Sequence, residues 1–242
     1  MIIGITGNVG KTSTKEAIAA VAGSARRVRA SSGNLNNEIG LPLSIIGDWS
    51  SEYYDRGSSL LFWLKVFLKG IAGLITDTSY PEILIIEYGA DRPGDIKRLA
   101  SQFHPHIAVV TAIGDIPVHV EYFNGPDAVA TEKSNLIKAL SPQGYAVLNR
   151  DDARVLHMQT STKAQVWTYG SDPESRVYVS SFELLIENEK PVGVVFKLHH
   201  ASRFVPVKIY GSLGRSQALS AAAAEAVGII LGLNLIEISE AL

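Results

Sequence analysis

The sequence contains no cysteine, and this absence excludes disulfide bonds and thiolate metal sites. It also lacks a strong charge of either sign, because 22 basic and 24 acidic residues leave a formal net charge of −2. The sequence therefore gives no sign of the basic surface that a nucleic-acid partner would require. The first residues read as a core strand rather than as a charged and then apolar signal peptide. We expect a cytoplasmic protein that does not bind nucleic acid.

Long apolar runs are also scarce, and the segment Ser58–Thr76 is the one that challenges a soluble interpretation. Lys65 and Lys69 interrupt it four residues apart on one helical face, and Gly70 and Gly73 make a spanning helix a poor fit. One interpretation is an amphipathic helix that contacts a membrane surface or a partner. The other, which the sequence favours, is a helix packed on the protein's own sheet or on a domain outside this chain.

The order of apolar segments predicts an α/β fold. The chain has 242 residues, of which 46% are hydrophobic, enough to build one large domain with a small appendage. Strand-like and helical segments alternate up to Asn149, which predicts a mainly parallel sheet with helices on both faces, like that of P-loop NTPases. In such sheets ligands bind at the carboxyl ends of the strands.

The pattern changes after Trp167. Three strand-like runs joined by turn residues predict a small antiparallel sheet over residues 166–210. An alanine-rich helix follows, and Asn234 with Glu237 forms a capping pair before a last helix. That helix reaches Leu242 without a stop signal, so we expect the natural chain to continue.

The segment Gly7–Thr12 is the most informative motif of the chain. It lies between a predicted strand and a predicted helix, as a phosphate-binding turn requires. Lys11 adds a positive charge and the Thr12 hydroxyl can bind Mg²⁺. Ile5 occupies the place of the first glycine in the full P-loop pattern, so the motif is a shortened Gly-x-x-Gly-Lys-Thr. The residues predicted to bind the nucleotide here are Thr6, Gly7, Asn8, Val9, Gly10, Lys11, Thr12 and Ser13.

A GTPase is one interpretation of this motif. The sequence DRPG from Asp91 matches a switch motif, and NRDD from Asn149 resembles a guanine-reading motif. However, Asp91 follows Glu87 by four residues, whereas a switch aspartate belongs at the strand end. The second motif has Arg150 in the place of lysine. A non-catalytic module that binds nucleotide or a partner is a further alternative.

Several stretches together resemble the Mur ligases, ATP-dependent amide-forming enzymes of peptidoglycan synthesis. They are GITGNVGKTSTKE, SSGNLNNEIGLPLS, ILIIEYGADRPGDI, VHVEYF, VATEKSNLI and GYAVLNRDD, in family order from Gly4 to Asp152. The likeness is greatest to the branch that adds D-alanyl-D-alanine to UDP-N-acetylmuramoyl-tripeptide. Related amide ligases, such as folylpolyglutamate synthetase or cyanophycin synthetase, stay open as alternatives.

The resemblance implies a mechanism and a set of site residues. The family transfers the γ-phosphate of ATP to a carboxylate, and an amine then attacks the acyl phosphate. By similarity, Lys11 holds the β- and γ-phosphates, while Thr12 and Glu87 bind a first Mg²⁺. His119 matches the histidine near a second metal ion. Lys133 matches a lysine that many members carry as a carbamate, which is an anionic metal ligand. Lys11, His119 and Lys133 are therefore the expected catalytic residues.

Two asparagines and a strand end complete the implied site. The resemblance places Asn36 and Asn37 beside the substrate and the γ-phosphate, and Asn149 on the adenosine side. Asp152 is a further candidate on the adenosine side, and Glu121 is another candidate site residue. For Asn36 and Asn37 the alternative is a turn that uses asparagine for local hydrogen bonds.

The chain also departs from the family pattern. Gly214 and Arg215 are followed by Ser216 and Gln217 where the family has histidine and asparagine, and Ser220 replaces a later asparagine. The whole chain, 1–242, corresponds to the central ATP-binding domain only. By the resemblance, we expect the N-terminal domain that holds the UDP-sugar peptide substrate and the C-terminal domain that closes over ATP to lie outside these 242 residues. We therefore expect the isolated chain to have little or no turnover.

Overall fold

The computed structural model describes residues 1–33, 35–57, 59–76, 80–115 and 122–242, without the side chains of 74–76. The strands in this part of the chain are β1 (Ile2–Thr6), β2 (Val28–Ala30), β3 (Ile83–Glu87), β4 (Ile107–Val110), β5 (Tyr145–Asn149), β6 (Gln165–Gly170), β7 (Val177–Glu187), β8 (Lys190–His200) and β9 (Arg203–Tyr210). The helices are α1 (Lys11–Gly23), α2 (Gly40–Ile46), α3 (Ser50–Arg56), α4 (Leu60–Thr76), α5 (Asp95–Gln102), α6 (Pro126–Lys138), α7 (Ala153–His157), α8 (Arg215–Ile230) and α9 (Leu235–Ala241). A 3-10 turn follows α7 at Met158–Ser161.

All these strands belong to one sheet, in the order β2-β3-β1-β4-β5-β6-β7-β8-β9. The pairings from β2 to β7 are parallel, and those of β7 with β8 and of β8 with β9 are antiparallel. In the register of the central strands, Ile5 pairs with Glu87 and Thr6 pairs with Val110. The carboxyl ends of β1, β3 and β4 therefore meet at one edge of the sheet, which confirms the predicted fold class.

Helices cover both faces of the sheet because neighbouring strand residues point to opposite sides. Ile83 and Ile85 of β3 pack in one core cluster with α1 and α8, whereas Leu84 and Ile86 pack in the other with α5 and α6. Every residue of β3 is buried, as expected of a central parallel strand.

The interval 166–210 differs in part from the prediction of a small antiparallel sheet. Its first strand, β6, pairs in parallel with β5, with Val147 opposite Trp167, and the antiparallel strands continue the main sheet. The connection between β5 and β6 explains the parallel pairing. It contains α7 and the 3-10 turn, and such a crossover is what two parallel strands need. The hairpin between β7 and β8 does occur, and Asn188 and Glu189 close it with φ of 49° and 64°.

The predicted capping pair at the end of the chain is confirmed. The Asn234 side chain accepts hydrogen bonds from the backbone N–H groups of Ile236 and Glu237. The Glu237 carboxylate in turn accepts from the N–H of Asn234, at 2.8 Å. This reciprocal arrangement is a capping box, and it fixes the start of α9.

Helix α4 packs on the rest of the chain through one face only. Phe62 and Val66 are buried in a small separate cluster with Trp49, Leu43 and Leu35. Helix α4 therefore packs within the chain, but against α2, α3 and the adjoining loops rather than on the sheet as predicted, because the short helices α2 and α3 supply its partners. Large apolar side chains on the other face of α4 are exposed. Ser58, which opens the predicted apolar segment, lies outside the described residues. Within the described part of the chain, no helix combines the length and apolar character that crossing a bilayer requires.

Candidate functional site

The turn after β1 has the backbone of an anion-binding loop. Gly10 opens α1 in the left-handed region at φ 83°, and no side chain caps the helix. The N–H groups of the first turn are therefore available to an anion. Gly7 has φ 146°, and a Cβ at this position would lie 1.9 Å from Oγ1 of Thr111. Only glycine fits there, because a side chain would displace the loop from the end of β4.

The segment after β4 holds this loop in place. The backbone N–H groups of Asn8 and Val9 donate to the carbonyl oxygen of Ala112, at 2.8 and 3.1 Å. The Asn8 side chain adds a hydrogen bond to the carbonyl oxygen of Ile113, at 2.8 Å. Asp152, at the start of α7, accepts hydrogen bonds from the N–H groups of Ile113 and Gly114. The carboxyl ends of β1, β4 and β5 are thus linked through one network.

The Asp152 carboxylate is fitted to this role as a hydrogen-bond acceptor. Burial alone would raise its pKa, but four backbone N–H groups donate to it and hold its pKa below the ordinary value. Two of these donors, Arg154 and Val155, belong to the first turn of α7, so Asp152 is also the N-cap of that helix. Asp152 therefore joins the segment after β4 to the start of α7 through hydrogen bonds with the backbone.

A cluster of charges lies at the end of β3, next to the loop. Glu87 is only 6% exposed, and its two carboxylate oxygens lie 4.0 Å from Nζ of Lys11 and of Lys15. Lys11 also donates from Nζ to the carbonyl oxygen of Asn8, at 3.2 Å. Lys133 is buried as well, and burial together with the positive charge of Lys11 lowers its pKa to about 8, against the opposing effect of Glu87 and Glu132. Lys11 and Lys15 therefore pair with Glu87, and Lys133 lies close enough for its charge to be influenced by Lys11, Glu87 and Glu132. One carboxylate between two paired lysines leaves excess positive charge where an anion can bind.

Glu132, the neighbour of Lys133 on α6, fixes the segment that leads into α5. Its carboxylate accepts hydrogen bonds from the N–H groups of Gly94 and Ile96, both at 2.8 Å. Asn135 donates to the same carboxylate, at 3.3 Å. Glu132 thus caps the start of α5 from another helix and holds the loop that carries Asp91.

These groups surround an open cleft of about 720 Å³. The residues that line it are Asn8, Gly10, Lys11, Thr12, Ser13, Leu35, Asn36, Asn37, Tyr53, Tyr54, Glu87 and Asp91. A second cavity of about 510 Å³ shares Asn36, Asn37 and Asp91 with it and extends to Arg92, Arg98 and Tyr122. Most of the side chains predicted from the sequence to bind nucleotide or substrate therefore meet at one place.

Some predicted residues do not line this cleft. Thr6 is fully buried and donates from Oγ1 to the carbonyl oxygen of Tyr88, at 3.0 Å. Asn149 is 3% exposed, and its side-chain oxygen accepts a hydrogen bond from the N–H of Asp151. Gly7, Val9 and Lys133 are also absent from the lining.

Asn36 and Asn37 line the cleft, but part of each residue serves the local structure. The side-chain oxygen of Asn37 accepts from the N–H groups of Ile39 and Gly40 at the start of α2. The carbonyl oxygen of Asn36 accepts from the N–H of Gly89, after β3. Asn36 and Asn37 therefore form local hydrogen bonds and line the cleft at the same time.

The second predicted metal position cannot be described in the same way, because His119 and Glu121 lie outside the described residues. Within the described part of the chain, no three histidine, aspartate or glutamate side chains cluster as a metal site would require. Thr12 and Glu87 do reach the same cleft, and hydroxyl and carboxylate oxygens suit Mg²⁺.

The positions that depart from the family pattern contact the first helix. Ser220 of α8 and Thr14 of α1 share a hydrogen bond between their hydroxyl oxygens, at 3.1 Å. Gln217 lies 3.5 Å from the hydroxyl oxygen of Ser13. These polar residues therefore join α8 to the start of α1, immediately behind the loop.

Sequence reasoning missed Lys15, Glu132 and the tyrosines of α3. Lys15 lies one turn after Lys11 on α1, so the i, i+4 spacing was the available signal. No comparable signal existed for Tyr53 and Tyr54, because α3 reaches the cleft only through the tertiary fold. Contacts between distant segments also place Glu132 beside the loop before α5.

Comparison with known proteins agrees with this architecture. The family model described as the Mur ligase middle domain matches residues 73–227. The UDP-N-acetylmuramoyl-tripeptide--D-alanyl-D-alanine ligase of Mycobacterium bovis is 30% identical over 241 residues, which cover 100% of this chain and 40% of that protein. The corresponding ligase of Bacillus subtilis is 27% identical over 232 residues, 96% of this chain and 42% of the relative. The chain belongs to the Mur ligase family.

A solved structure supports the fold in the same way. The crystal structure of MurF ligase from Thermotoga maritima in complex with ADP superposes with a TM-score of 0.73 at 23% identity. The match covers 99% of this chain and 48% of that one. The chain thus spans less than half the length of these similar proteins. Family membership favours a ligase over a GTPase as the interpretation of the loop motif.

Proposed function

We propose that this chain is the ATP- and Mg²⁺-binding central domain of an ATP-dependent amide ligase. The observation that carries the proposal is the pairing of Lys11 and Lys15 with the buried Glu87, beside a glycine-rich loop whose N–H groups are open to an anion. Such a site neutralises the charge of phosphate oxygens during phosphoryl transfer. ADP in the similar MurF structure supports ATP as the nucleotide.

Several residues of the cleft have separate proposed roles in binding and catalysis. The N–H groups at the start of α1 hold the phosphates, and Lys11 exchanges its contact with Asn8 for the β- and γ-phosphate oxygens. Thr12 and Glu87 hold Mg²⁺, which would add charge neutralisation when bound. Asn36 and Asn37 orient the acceptor carboxylate near the γ-phosphate. A carboxylate oxygen then attacks the γ-phosphorus and displaces ADP, which gives an acyl phosphate. The amine attacks the acyl carbon, inorganic phosphate leaves with the acyl C–O bond, and the amine nitrogen loses a proton as the amide forms.

Lys133 is proposed to act as a carbamate. An amine must be neutral to react with CO₂, and a pKa of about 8 increases its neutral fraction at pH 7 by roughly two orders of magnitude over an ordinary lysine. The resulting anion would lie beside Lys11 and provide oxygen ligands for a metal ion. By family resemblance His119 would serve the same second metal ion, and Asn149 the adenosine.

The similar proteins suggest which acceptor substrate the complete enzyme uses and which further domains it needs. Both curated relatives are D-alanyl-D-alanine ligases of UDP-N-acetylmuramoyl-tripeptide, so we propose this substrate and a place in peptidoglycan precursor synthesis. The present chain corresponds to about 40% of their length. The domains that bind the UDP-sugar peptide and close over ATP would be supplied by further polypeptide, and the 242 residues alone are expected to turn over slowly or not at all.

Calorimetric titration of ATP and GTP with Mg²⁺ tests this proposal. We expect ATP to bind in a metal-dependent manner and GTP to bind at least ten-fold more weakly. Lys11→Ala should lower ATP affinity at least ten-fold, because it removes the mobile charge on the phosphates. Lys190→Ala, an exposed position on the β7–β8 hairpin, is the matched control and should bind as the wild type does. Tighter binding of GTP, or unchanged binding by Lys11→Ala, would overturn the proposal.

A further inference from the structure

Lys15 is a cationic residue on the face of α1 that packs against the rest of the fold. Ile18 and Ala22 follow it on the same face, at i+3 and i+7, and both are fully buried. The Lys15 side chain is only 6% exposed. Burial of an ammonium group is unfavourable unless a negative charge lies close to it, and Glu87 supplies that charge. An apolar residue would serve the packing of α1 equally well, so the cation at this position has another reason.

Lys11 and Lys15 approach different oxygens of the Glu87 carboxylate. Nζ of Lys11 lies 4.0 Å from Oε1, and Nζ of Lys15 lies 4.0 Å from Oε2. The two lysines are four residues apart on α1, which places them one above the other on the helix. Both distances are those of ion pairs rather than of hydrogen bonds. Each carboxylate oxygen therefore has its own cation.

The surroundings of the two ammonium groups differ. The Lys11 side chain is 22% exposed, lines the cleft and also contacts the carbonyl oxygen of Asn8. Lys15 is buried on the side of α1 that packs against β3, and it does not line the cleft. Phosphate oxygens in the cleft can therefore draw Lys11 away from Glu87, whereas Lys15 stays beside the carboxylate. Release of Lys11 frees the Oε1 side of Glu87, and the Oε2 side remains paired.

We propose that Lys15 is a positioning residue, which holds the Oε2 side of the Glu87 carboxylate so that the Oε1 side is presented to Mg²⁺. The proposal rests on the proposed function, in which Glu87 is a metal ligand. Groups that orient a ligating carboxylate are worth about 10- to 100-fold in metal affinity. Lys15 thus supports metal binding through Glu87 and touches neither the nucleotide nor the metal ion.

Calorimetric titration of ATP, with Mg²⁺ or with a chelator, tests this role. Lys15→Met keeps the length of the side chain and removes its charge. We expect it to lower the affinity for ATP about ten-fold in the presence of Mg²⁺, and far less in its absence. Lys11→Met should weaken binding under both conditions, because its charge acts on the phosphates. Lys163→Met makes the same change at an exposed residue before β6, at the opposite end of the sheet, and should bind as the wild type does.

A double-mutant cycle with Glu87→Gln separates positioning from a direct effect of charge. If Lys15 acts through Glu87, Lys15→Met should change the affinity for ATP with Mg²⁺ by less than about two-fold in the Glu87→Gln background. An equal loss in both backgrounds would contradict the proposal, because Lys15 would then act on the nucleotide directly or on the fold as a whole. Circular dichroism checks the fold of each variant.

The lack of cysteine in the chain permits a rescue at this position alone. Lys15→Cys is alkylated with 2-bromoethylamine in urea and refolded, which rebuilds a lysine analogue with a thioether in its stem. The alkylated protein should regain the metal dependence of ATP binding, and untreated Lys15→Cys should not. The wild-type chain taken through the same steps is the control. A refolded, alkylated protein without metal dependence would show that an ammonium group here is not sufficient.

Crystal structures without nucleotide keep this proposal apart from the proposed function. Lys11→Met should leave the Glu87 carboxylate in place, because Lys15 still holds it. Lys15→Met should let the carboxylate turn to another rotamer, because Lys11 is also bound to Asn8. An unchanged carboxylate in Lys15→Met would overturn the positioning role. A changed rotamer in a protein whose wild type binds no nucleotide would instead support that role and overturn the proposed function.

Discussion

The cleft end of the sheet and helix α8 both bury glutamate, but they surround it differently. In the cleft, Glu87 lies beside two lysine ammonium groups, and Glu132 accepts hydrogen bonds from two backbone N–H groups. In α8, Glu225 is fully buried, and neither of its oxygens has a hydrogen-bond partner among the described residues. Burial raises the pKa of Glu225 to about 8. The carboxyl group is therefore mostly protonated at neutral pH.

The difference shows which part of the molecule is arranged to hold charge. Taking a carboxylate out of water is unfavourable unless cations or N–H groups replace the water. The cleft provides such groups from α1, α6 and the loop before α5. The alanine-rich face of α8 packs closely against α1 and the sheet, and it provides none to Glu225. A charged carboxylate is therefore stabilised at the cleft, whereas a charged Glu225 in α8 would destabilise the fold.

The largest effect is expected from Glu87→Gln. This change leaves Lys11 and Lys15 close together without their carboxylate, and it should lower the free energy of unfolding by about 3 kcal/mol. Urea unfolding at pH 7 and low salt measures the loss. Inorganic phosphate should restore part of it, because the anion replaces the missing negative charge.

Glu16→Gln is the matched control for this change, since Glu16 is exposed on the same helix, α1. Its effect should stay within about 0.5 kcal/mol. Equal unfolding midpoints for Glu87→Gln and the wild type would show that the lysines do not depend on Glu87, and the contrast with Glu225 would fail.

A smaller effect of opposite sign is expected from Glu225→Met. Methionine keeps the unbranched shape and removes the unpartnered oxygens, so the free energy of unfolding at pH 7 should rise by about 1–3 kcal/mol. Glu225→Gln is the control, because its amide leaves polar atoms unpartnered and should give no such gain. Destabilisation by both variants would mean that the carboxyl group has a partner that the structure does not reveal.

Glu225 also predicts a pH dependence of stability. Its pKa is about 8 in the folded protein and ordinarily 4.5, so between these values the folded state binds one proton more than the unfolded state. The free energy of unfolding should therefore fall as the pH rises from about 4.5 to about 8, by at most about 1.4 kcal/mol per pH unit. Urea unfolding across this range should give a flatter profile for Glu225→Met than for the wild type.

The smallest effect is expected from Glu132→Gln. An amide has one acceptor oxygen in place of two, so one of the hydrogen bonds from Gly94 and Ile96 is lost and the other is weakened. We expect a loss of about 1 kcal/mol, confined to the loop before α5. Hydrogen exchange should become about five-fold faster at these two amides and stay unchanged at Val21 of α1. Uniform acceleration over the whole chain would contradict a local role.

Sequence reasoning recovered the parts of the site that local patterns encode. The Gly-x-x-Gly-Lys-Thr motif lies between β1 and α1 as predicted, and Glu87 ends β3 as predicted. Strand and glycine signals are local, so neighbouring residues suffice to identify them. The same reasoning missed β2, α2, α3 and α7, which are short and lack a sustained period. It also read 166–170 as antiparallel, because the composition of a strand does not specify its direction.

The sequence by itself determined the phosphate-binding loop, the mainly parallel sheet and the resemblance to the Mur ligases, because each depends on residues that are close together or in a fixed order. Only the tertiary structure decided that Lys15 joins Lys11 beside Glu87, and that within the described residues Glu225 has no hydrogen-bond partner and one face of α4 stays exposed. Periodicity shows that a face is apolar or that a residue is charged. It does not show what covers that face or which distant group meets that charge, because chain folding sets those contacts.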